Sequence, residues 1–216
     1  MTILNRLINF LTPYVKDNVL VAESEIRQFV KEHNIFLRDD HLHFLMNFAS
    51  ESNGRIKIFK NYGGDFEFKQ FARVYLENHP DMALPDGYTY FGSDFIGESF
   101  CIEHMSGKIF TYDMGERYGI VHESIAGFLL NCLLMKDYEQ AFDKVTVQDL
   151  DSESFAEFRL ENENTKIDEA TRFVGQRDQI LADTEYYLLN GKLTKLFLPG
   201  RIMTTMSGGI LDEPGN

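Results

Sequence analysis

Acidic and histidine side chains in the middle of the chain are the first candidates for catalysis or metal binding. Asp94, Glu98, Glu103 and His104 are residue types that serve as metal ligands or as general acids and bases. Neighbouring residues on one β-strand point to opposite faces of the sheet, so Glu103 cannot converge with His104, nor Glu98 with Ser99, without a turn between them. The spacing favours turn and solvent-facing positions. We therefore predict no catalytic residue and no metal site here.

Histidine and cysteine spacings elsewhere lead to the same conclusion. His41 and His43 flank a single residue on a predicted helix, whereas a helical metal pair prefers the H-E-x-x-H spacing, so we expect solvent or cap positions for both. Cys101 lies close to His104 in sequence, but acidic surroundings raise a thiol pKa and disfavour the reactive thiolate. We predict that Cys101 and Cys132 are buried, reduced thiols. The glycines form no phosphate-binding pattern, so no cofactor is predicted.

Four short β-rich runs surround these residues and indicate an antiparallel meander. Turn residues such as Ser106-Gly107 separate the runs. Ser124 then stands where it can cap a helix that is nearly all apolar from Ile125 to Met135, so we expect that helix to be buried against the sheet. The runs are Tyr88–Phe91, Ser99–Ile102, Lys108–Tyr112 and Tyr118–Val121.

Helical periodicity precedes the meander, and a hairpin signal follows it. We predict helices over residues 2–15, over 23–33 and from Asp39 onward, a turn at Asn53-Gly54, a strand near 56–58 and a short helix ending at Pro80. Near the C-terminus, Asn190-Gly191 between two β-rich runs is a strong hairpin signal. The predicted fold is α+β, a central antiparallel sheet flanked by helices with a C-terminal helix and hairpin extension. We place the first domain at residues 1–135 and the extension, packed on that same domain, at 136–216.

Acidic residues outnumber basic residues, and the excess lies in two segments. The 216 residues include 34 Asp and Glu against 21 Lys and Arg, a formal charge of −13. Residues 74–135 hold 2 basic and 9 acidic residues, and residues 136–187 hold 6 and 14. Phosphate binding needs a basic surface, so this balance argues against nucleic acid and against an anionic membrane as ligands. It favours a basic protein partner, although a solvated surface explains the same charge.

Hydropathy and the N-terminal segment predict the cellular location. No apolar run reaches the roughly 18 residues that a membrane-spanning helix needs. The N-terminal segment has neither the basic start nor the small-residue cleavage site of a secretory signal. We therefore expect a cytoplasmic protein with no membrane partner.

Turn and packing motifs between about residue 20 and residue 135 follow a recognisable order. They are Ile26 and Phe29 on an early helix, Asn53-Gly54, Phe91-Gly92-Ser93-Asp94, Gly97-Glu98-Ser99-Phe100, Ser106-Gly107-Lys108-Ile109-Phe110 and Ser124-Ile125-Ala126-Gly127-Phe128-Leu129. This order resembles the SUKH superfamily, which includes bacterial immunity proteins and relatives of a fungal cell-wall assembly regulator. Arg38 stands where the family pattern has proline. The resemblance implies an acidic, exposed surface that occludes a cognate toxin, often a nuclease or a deaminase.

Tyrosines beside acidic residues are the predicted contacts for such a partner. Tyrosine is enriched in interface hot spots, and outward-facing tyrosines next to carboxylates suit a basic surface. The predicted partner-binding residues are Tyr90, Asp94, Glu98, Tyr112, Asp113, Glu116 and Tyr118. By contrast, we assign four phenylalanines of this region to the core: Phe91, Phe100, Phe110 and Phe128.

We expect the chain to be an immunity protein that neutralises a basic toxin by occlusion, and not an enzyme. The alternative is a regulatory or scaffold module that binds another protein but has no toxin partner. A hydrolase is a third class. It needs His, Asp and Glu groups that converge in one pocket, and the sequence identifies no such group.

Overall fold

The computed structural model describes residues 5, 8–9, 20–48, 66–77, 83–93, 98–113, 116–134, 141–167, 172–176 and 179–212. Several predicted features lie outside the described residues: most of the helix at 2–15, the Asn53-Gly54 turn, the strand near 56–58 and the contact residue Asp94. For Asp113, for residues 172–176 and for residues 179–180, the backbone alone is described.

Five α-helices and nine β-strands make up the described part of the chain. The helices are α1 (Glu23–Glu32), α2 (Asp39–Phe48), α3 (Phe68–Glu77), α4 (Ile125–Leu134) and α5 (Ser152–Asn162). The strands are β1 (Tyr88–Ser93), β2 (Ser99–Glu103), β3 (Ile109–Asp113), β4 (Glu116–His122), β5 (Lys144–Asp149), β6 (Arg172–Gln176), β7 (Gln179–Leu189), β8 (Lys192–Phe197) and β9 (Ile202–Ser207).

The described strands pair in antiparallel fashion, in the order β1-β2-β3-β4-β6-β7-β8-β9-β5. Strands β1 to β4 are consecutive neighbours, which is the predicted meander. The other five strands form a second half of the sheet, which joins the first half where His122 of β4 pairs with Arg172 of β6. The prediction of an α+β fold with an antiparallel sheet and flanking helices is confirmed.

The C-terminal region adds more strands to the sheet than the predicted hairpin. Asn190 and Gly191 have φ values of 50° and 69°, the left-handed conformations of a two-residue hairpin turn, and they connect β7 to β8 as predicted. Strand β9 continues the antiparallel order beside β8. Strand β5 comes earlier in the chain and pairs with β9, so it forms the outer edge of the second half.

Phenylalanine rings pack between the first half of the sheet and its helices. The ring centroids of Phe44 on α2 and Phe91 on β1 are 5.0 Å apart, and Phe91 is again 5.0 Å from Phe128 on α4. Phe66 lies 4.8 Å from Phe128. Such tilted and edge-to-face contacts are the favoured arrangements of aromatic pairs. The four phenylalanines assigned to the core from sequence are all buried: Phe91, Phe100, Phe110 and Phe128.

Helix α4 is buried along its whole length, as its apolar sequence predicts. Ser124 Oγ accepts a hydrogen bond from the Gly127 N–H at 3.0 Å, which is the predicted N-terminal cap. Asn131 of this helix also connects the two halves of the sheet. Tyr186 Oη on β7 donates to Asn131 Oδ1 at 2.8 Å, and Asn131 Nδ2 lies 3.5 Å from His122 Nδ1 on β4. Asn131 Nδ2 also donates to the Gly127 carbonyl at 2.9 Å, so both ends of the buried Asn131 amide have hydrogen-bond partners inside the core.

Candidate functional site

Two of the predicted partner contacts lie in the core. Tyr90 and Tyr112 are 1% and 3% exposed, so the prediction that they face a partner is wrong. The three central residues of β2 are all buried, which shows that the meander is covered on both of its faces. On the β1 side, Tyr75 of α3 accepts a hydrogen bond from the Tyr90 N–H at 3.1 Å. Alternation along a strand indicates exposure only when one face of the sheet is open to solvent.

The other predicted contacts that the structure describes lie at one end of the meander. Ser99 pairs with Tyr112 across β2 and β3, and Asp113 pairs with Glu116 across β3 and β4. Glu98 therefore comes to the same end of the sheet as Glu116, and both are exposed. Tyr118, two residues along β4, is 38% exposed. This end of the sheet thus keeps an acidic surface with one accessible tyrosine.

Glu103 is held by three neighbours. Tyr88 Oη donates to Glu103 Oε1 at 2.9 Å, and Ser106 Oγ donates to Oε2. Arg117 Nη1 donates to Tyr88 Oη at 2.9 Å and lies 3.8 Å from Glu103 Oε1. The pKa of Glu103 is lowered by the hydrogen bond from Ser106, by the hydrogen bond from Tyr88 and by the positive charge of Arg117. An ionised carboxylate that is fixed in this way suits a structural role better than proton transfer.

His104 takes different partners from its neighbour Glu103. Its Nε2 lies 2.9 Å from Thr89 Oγ1, and its ring lies 4.4 Å from the ring of Phe36. Burial lowers the pKa of His104, so the ring is biased towards its neutral form. His104 lies in the turn that follows β2, so the two side chains have different partners.

Arg38 holds the turn between β2 and β3. Its Nη1 donates to the His104 carbonyl at 2.8 Å, and its Nε donates to Asp40 Oδ1 at 3.0 Å. The guanidinium lies against Gly107, whose φ is +75°, and a Cβ at that position would be 2.8 Å from Arg38 Nη2. The positive φ of the turn therefore favours glycine, and a side chain there would displace the Arg38 guanidinium from its hydrogen bonds.

The remaining candidate groups for chemistry are buried. Cys101 and Cys132 are free, buried thiols, as predicted, and burial raises the pKa of Cys101 to about 12. His41 lies in the core against Phe71 and Phe91, so the predicted solvent or cap position is wrong. Neither ring nitrogen of His41 has a hydrogen-bond partner among the described residues, and burial lowers the pKa of His41 to about 3. None of these groups is placed to meet a substrate.

Helix α5 presents the clearest acidic surface among the described residues. Glu153, Glu157 and Glu161 recur every four residues, so they form one stripe along the helix, and all three are exposed. Leu160 lies on the same side and is 78% exposed. No Lys or Arg within the described ranges forms an ion pair with the three carboxylates. We call these four residues the α5 stripe.

The inner side of α5 is fixed to the second half of the sheet. Phe158 packs edge-to-face on Tyr187 of β7, with ring centroids 5.1 Å apart. Arg159 donates to both carboxylate oxygens of Glu185, at 2.9 and 2.8 Å, and Lys166 Nζ donates to Oε1 at 3.0 Å. Although burial raises the pKa of Glu185, the donors around it lower that pKa overall. Arg159 is the only basic residue of helix α5, and it pairs with Glu185 and not with the glutamates of the stripe.

Helix α5 begins with a cap that favours negative charge. Asp151 Oδ1 accepts a hydrogen bond from the Ser154 N–H at 2.8 Å, and this bond lowers the pKa of Asp151. The sequence predicts only a charged segment here and does not assign it to a surface. The spacing of four between Glu153, Glu157 and Glu161 was the signal that identifies one exposed helix face.

Metal sites, membrane helices and known relatives supply no further assignment. Within the described ranges, no group of three His, Cys, Asp or Glu side chains is arranged to hold a metal ion. None of the helices in that part of the chain is long and apolar enough to cross a membrane. No protein-family model, no curated protein and no solved structure matches the chain. The α5 stripe and the acidic end of the meander are therefore the features of the described residues that indicate a function.

Proposed function

We propose that this chain is a cytoplasmic immunity protein of the SUKH type, which binds a basic bacterial toxin and neutralises it by occlusion. The toxin would be a nuclease or deaminase effector, as the family resemblance implies. The observation that carries the proposal is the α5 stripe, in which three exposed carboxylates lie beside an exposed leucine. No cofactor is needed for inhibition by binding.

The α5 stripe has the composition of a protein-binding surface. Interfaces commonly combine an apolar centre with a polar or charged rim. The α5 stripe likewise places the exposed side chain of Leu160 beside three glutamates. Glu153 lies in the first turn, where the helix dipole favours negative charge, but the like charges of Glu157 and Glu161, four residues apart, destabilise an isolated helix slightly. A basic partner would neutralise the three carboxylates and cover the leucine.

Electrostatic attraction would act before contact. A chain with a formal charge of −13 attracts a basic protein at long range, which speeds encounter and disfavours acidic competitors. The meander end, with Glu98, Glu116 and Tyr118, offers a second acidic contact of the same character. Occlusion needs no catalytic group.

Partner capture with a growth assay tests this function. The chain is purified from its native host, and each co-purified basic protein is expressed alone and together with the chain. We expect one such protein to arrest growth when it is expressed alone, and co-expression of the chain to restore growth. A host that yields only harmless partners would favour the regulatory module, and a host that yields no basic partner would contradict the immunity function.

A charge-matched pair of triple variants tests the surface. Glu153→Lys, Glu157→Lys and Glu161→Lys together should abolish rescue and weaken binding by at least about a hundredfold, because each lost contact and each new repulsion adds to the effect. The control is Glu25→Lys, Glu32→Lys and Asp86→Lys, which makes the same charge change at exposed positions on α1 and before β1. If both variants weaken binding equally, net charge and not the α5 stripe determines affinity.

A further inference from the structure

The two edges of the sheet differ in how they are protected. At the β1 edge, the pairing register shifts between Tyr90 and Gly92, and the Tyr75 hydroxyl accepts a hydrogen bond from the Tyr90 N–H. At the other edge, β5 forms six consecutive pairs with β9 without irregularity, and no described residue pairs with its outer side. Five of its six residues are exposed, and Val147 is 63% exposed. Proteins usually protect such edges, so an open, regular edge strand is a site for adding another strand.

Helix α5 lies on one face of the sheet beside this edge. Cross-strand pairing forms one row from Glu185 through Leu196 and Met203 to Gln148, so Gln148 is on the face that α5 covers. Successive residues of a strand alternate between faces, so Val145 and Val147 lie on the opposite face. A strand added to β5 would therefore contact the start of α5 on one face and two valines on the other.

Charges differ between the two ends of β5. Asp149 ends the strand, and Asp151 and Glu153 follow it at the start of α5. At the opposite end, Lys144 and Lys192 both pair with Ser207 of β9 and so lie in one row. Exposed Asp143 precedes Lys144, and Arg201, whose carbonyl accepts a hydrogen bond from the Leu150 N–H, lies at the end that carries the carboxylates. A strand that binds along β5 therefore meets an excess of carboxylates at one end and mixed charges at the other.

We propose that β5 accepts an extended, basic segment of the partner protein as an additional strand of the sheet. Its lysines or arginines would lie near Asp149, Asp151 and Glu153, and aliphatic residues at alternate positions would lie beside Val145 and Val147. The backbone hydrogen bonds of the strand would supply affinity, and the charged end would set its register. A second copy of this chain fits less well, because each copy carries a charge of −13. The inference rests on the proposed function and names the part of the partner that binds.

Synthetic peptides test the edge without the natural partner. The probe is a hexapeptide of alternating valine and threonine with two lysines at one end, made in both orders of sequence. Its control is the same peptide with alternate backbone amides N-methylated, which keeps the charge but cannot add as a strand. Amide hydrogen exchange read by NMR should slow by at least about tenfold at the outward-facing amides of β5 with the probe, and not with the control.

Two variants localise the contact. Asp149→Lys with Glu153→Lys should weaken probe binding by at least about tenfold, whereas Glu25→Lys with Glu32→Lys should leave it within about twofold. Circular dichroism confirms that each variant remains folded. Equal binding of probe and N-methylated control would show attraction by charge alone and would overturn the inference. Protection at β1, or protection of β5 that rises with protein concentration in the absence of peptide, would overturn it as well.

Failure of this inference can be told apart from failure of the proposed function. If the chain captures and neutralises a basic toxin but the β5 amides exchange freely in that complex, strand addition is wrong and the immunity function stands. If no basic toxin is found while the probe protects β5, the edge site stands and the immunity function is wrong.

Discussion

Arg159 and Glu185 form a two-point contact in which both carboxylate oxygens of a nearly buried glutamate accept hydrogen bonds, at 2.9 and 2.8 Å, from one guanidinium. This contact fixes α5 on β7 and determines which side of the helix faces solvent. The position of the α5 stripe, and so the proposed partner surface, depends on it.

Glu185→Gln should lower the free energy of unfolding by about 2–4 kcal/mol, because Arg159 and Lys166 lose a charged partner in a largely buried site. Urea denaturation measures the change. Glu157→Gln, an exposed change on the same helix, should stay within about 0.5 kcal/mol. Equal effects at the two positions would show that the buried contact does not stabilise α5.

His41 should make stability depend on pH above the range where carboxylates titrate. Its pKa falls from 6.5 in the unfolded chain to about 3 in the folded protein, so the unfolded state binds the extra proton as pH drops below 6.5. Stability should therefore be full above pH 6.5 and fall by about 2 kcal/mol between pH 7 and pH 5 from this residue alone. His41→Leu should remove that part of the slope in urea titrations. An unchanged slope in His41→Leu would contradict the assignment.

Gly107→Ala should cost more stability than Gly87→Ala. Both glycines have similar positive φ values, +75° and +82°, but a Cβ at Gly107 meets Arg38 whereas a Cβ at Gly87 has nothing within 4 Å. We expect about 1 kcal/mol for the backbone conformation at either site and about 1 kcal/mol more at Gly107. In an Arg38→Ala background the two substitutions should cost the same, as measured by thermal unfolding. A difference that persists there would place the clash elsewhere.

Tyr186→Phe should destabilise the junction of the two half-sheets by about 1–2 kcal/mol, since Asn131 Oδ1 loses its buried donor. The double variant Tyr186→Phe with Asn131→Leu should cost less than the sum of the two single variants, because both polar partners are then removed together. Denaturant titration of the four proteins gives this coupling. Strict additivity would mean that the hydrogen bond does not contribute to stability.

Local turn and cap chemistry is the part of the fold that the sequence predicted well. Asn190-Gly191 specifies its hairpin because two adjacent left-handed residues are favourable only for a few residue types. Ser124 specifies the start of α4 because its hydroxyl reaches an N–H three residues ahead. The sequence does not predict strand β5. Val145 and Val147 alternate with polar residues there, but a single short alternating run is a weak signal for a strand.

The sequence determines where the acidic residues lie along the chain, whereas the tertiary structure determines which side chains are exposed. The acidic excess of residues 74–187 is a property of the sequence and survives any fold. Which side chains reach solvent depends on what packs above them. Tyr90 and Tyr112 are buried because both faces of the meander are covered, whereas Glu153, Glu157 and Glu161 are exposed because Phe158 and Arg159 turn the other side of α5 to the sheet. The residue types determine the charge. Burial depends on contacts between residues that are distant in the chain, and only the tertiary structure brings these residues together.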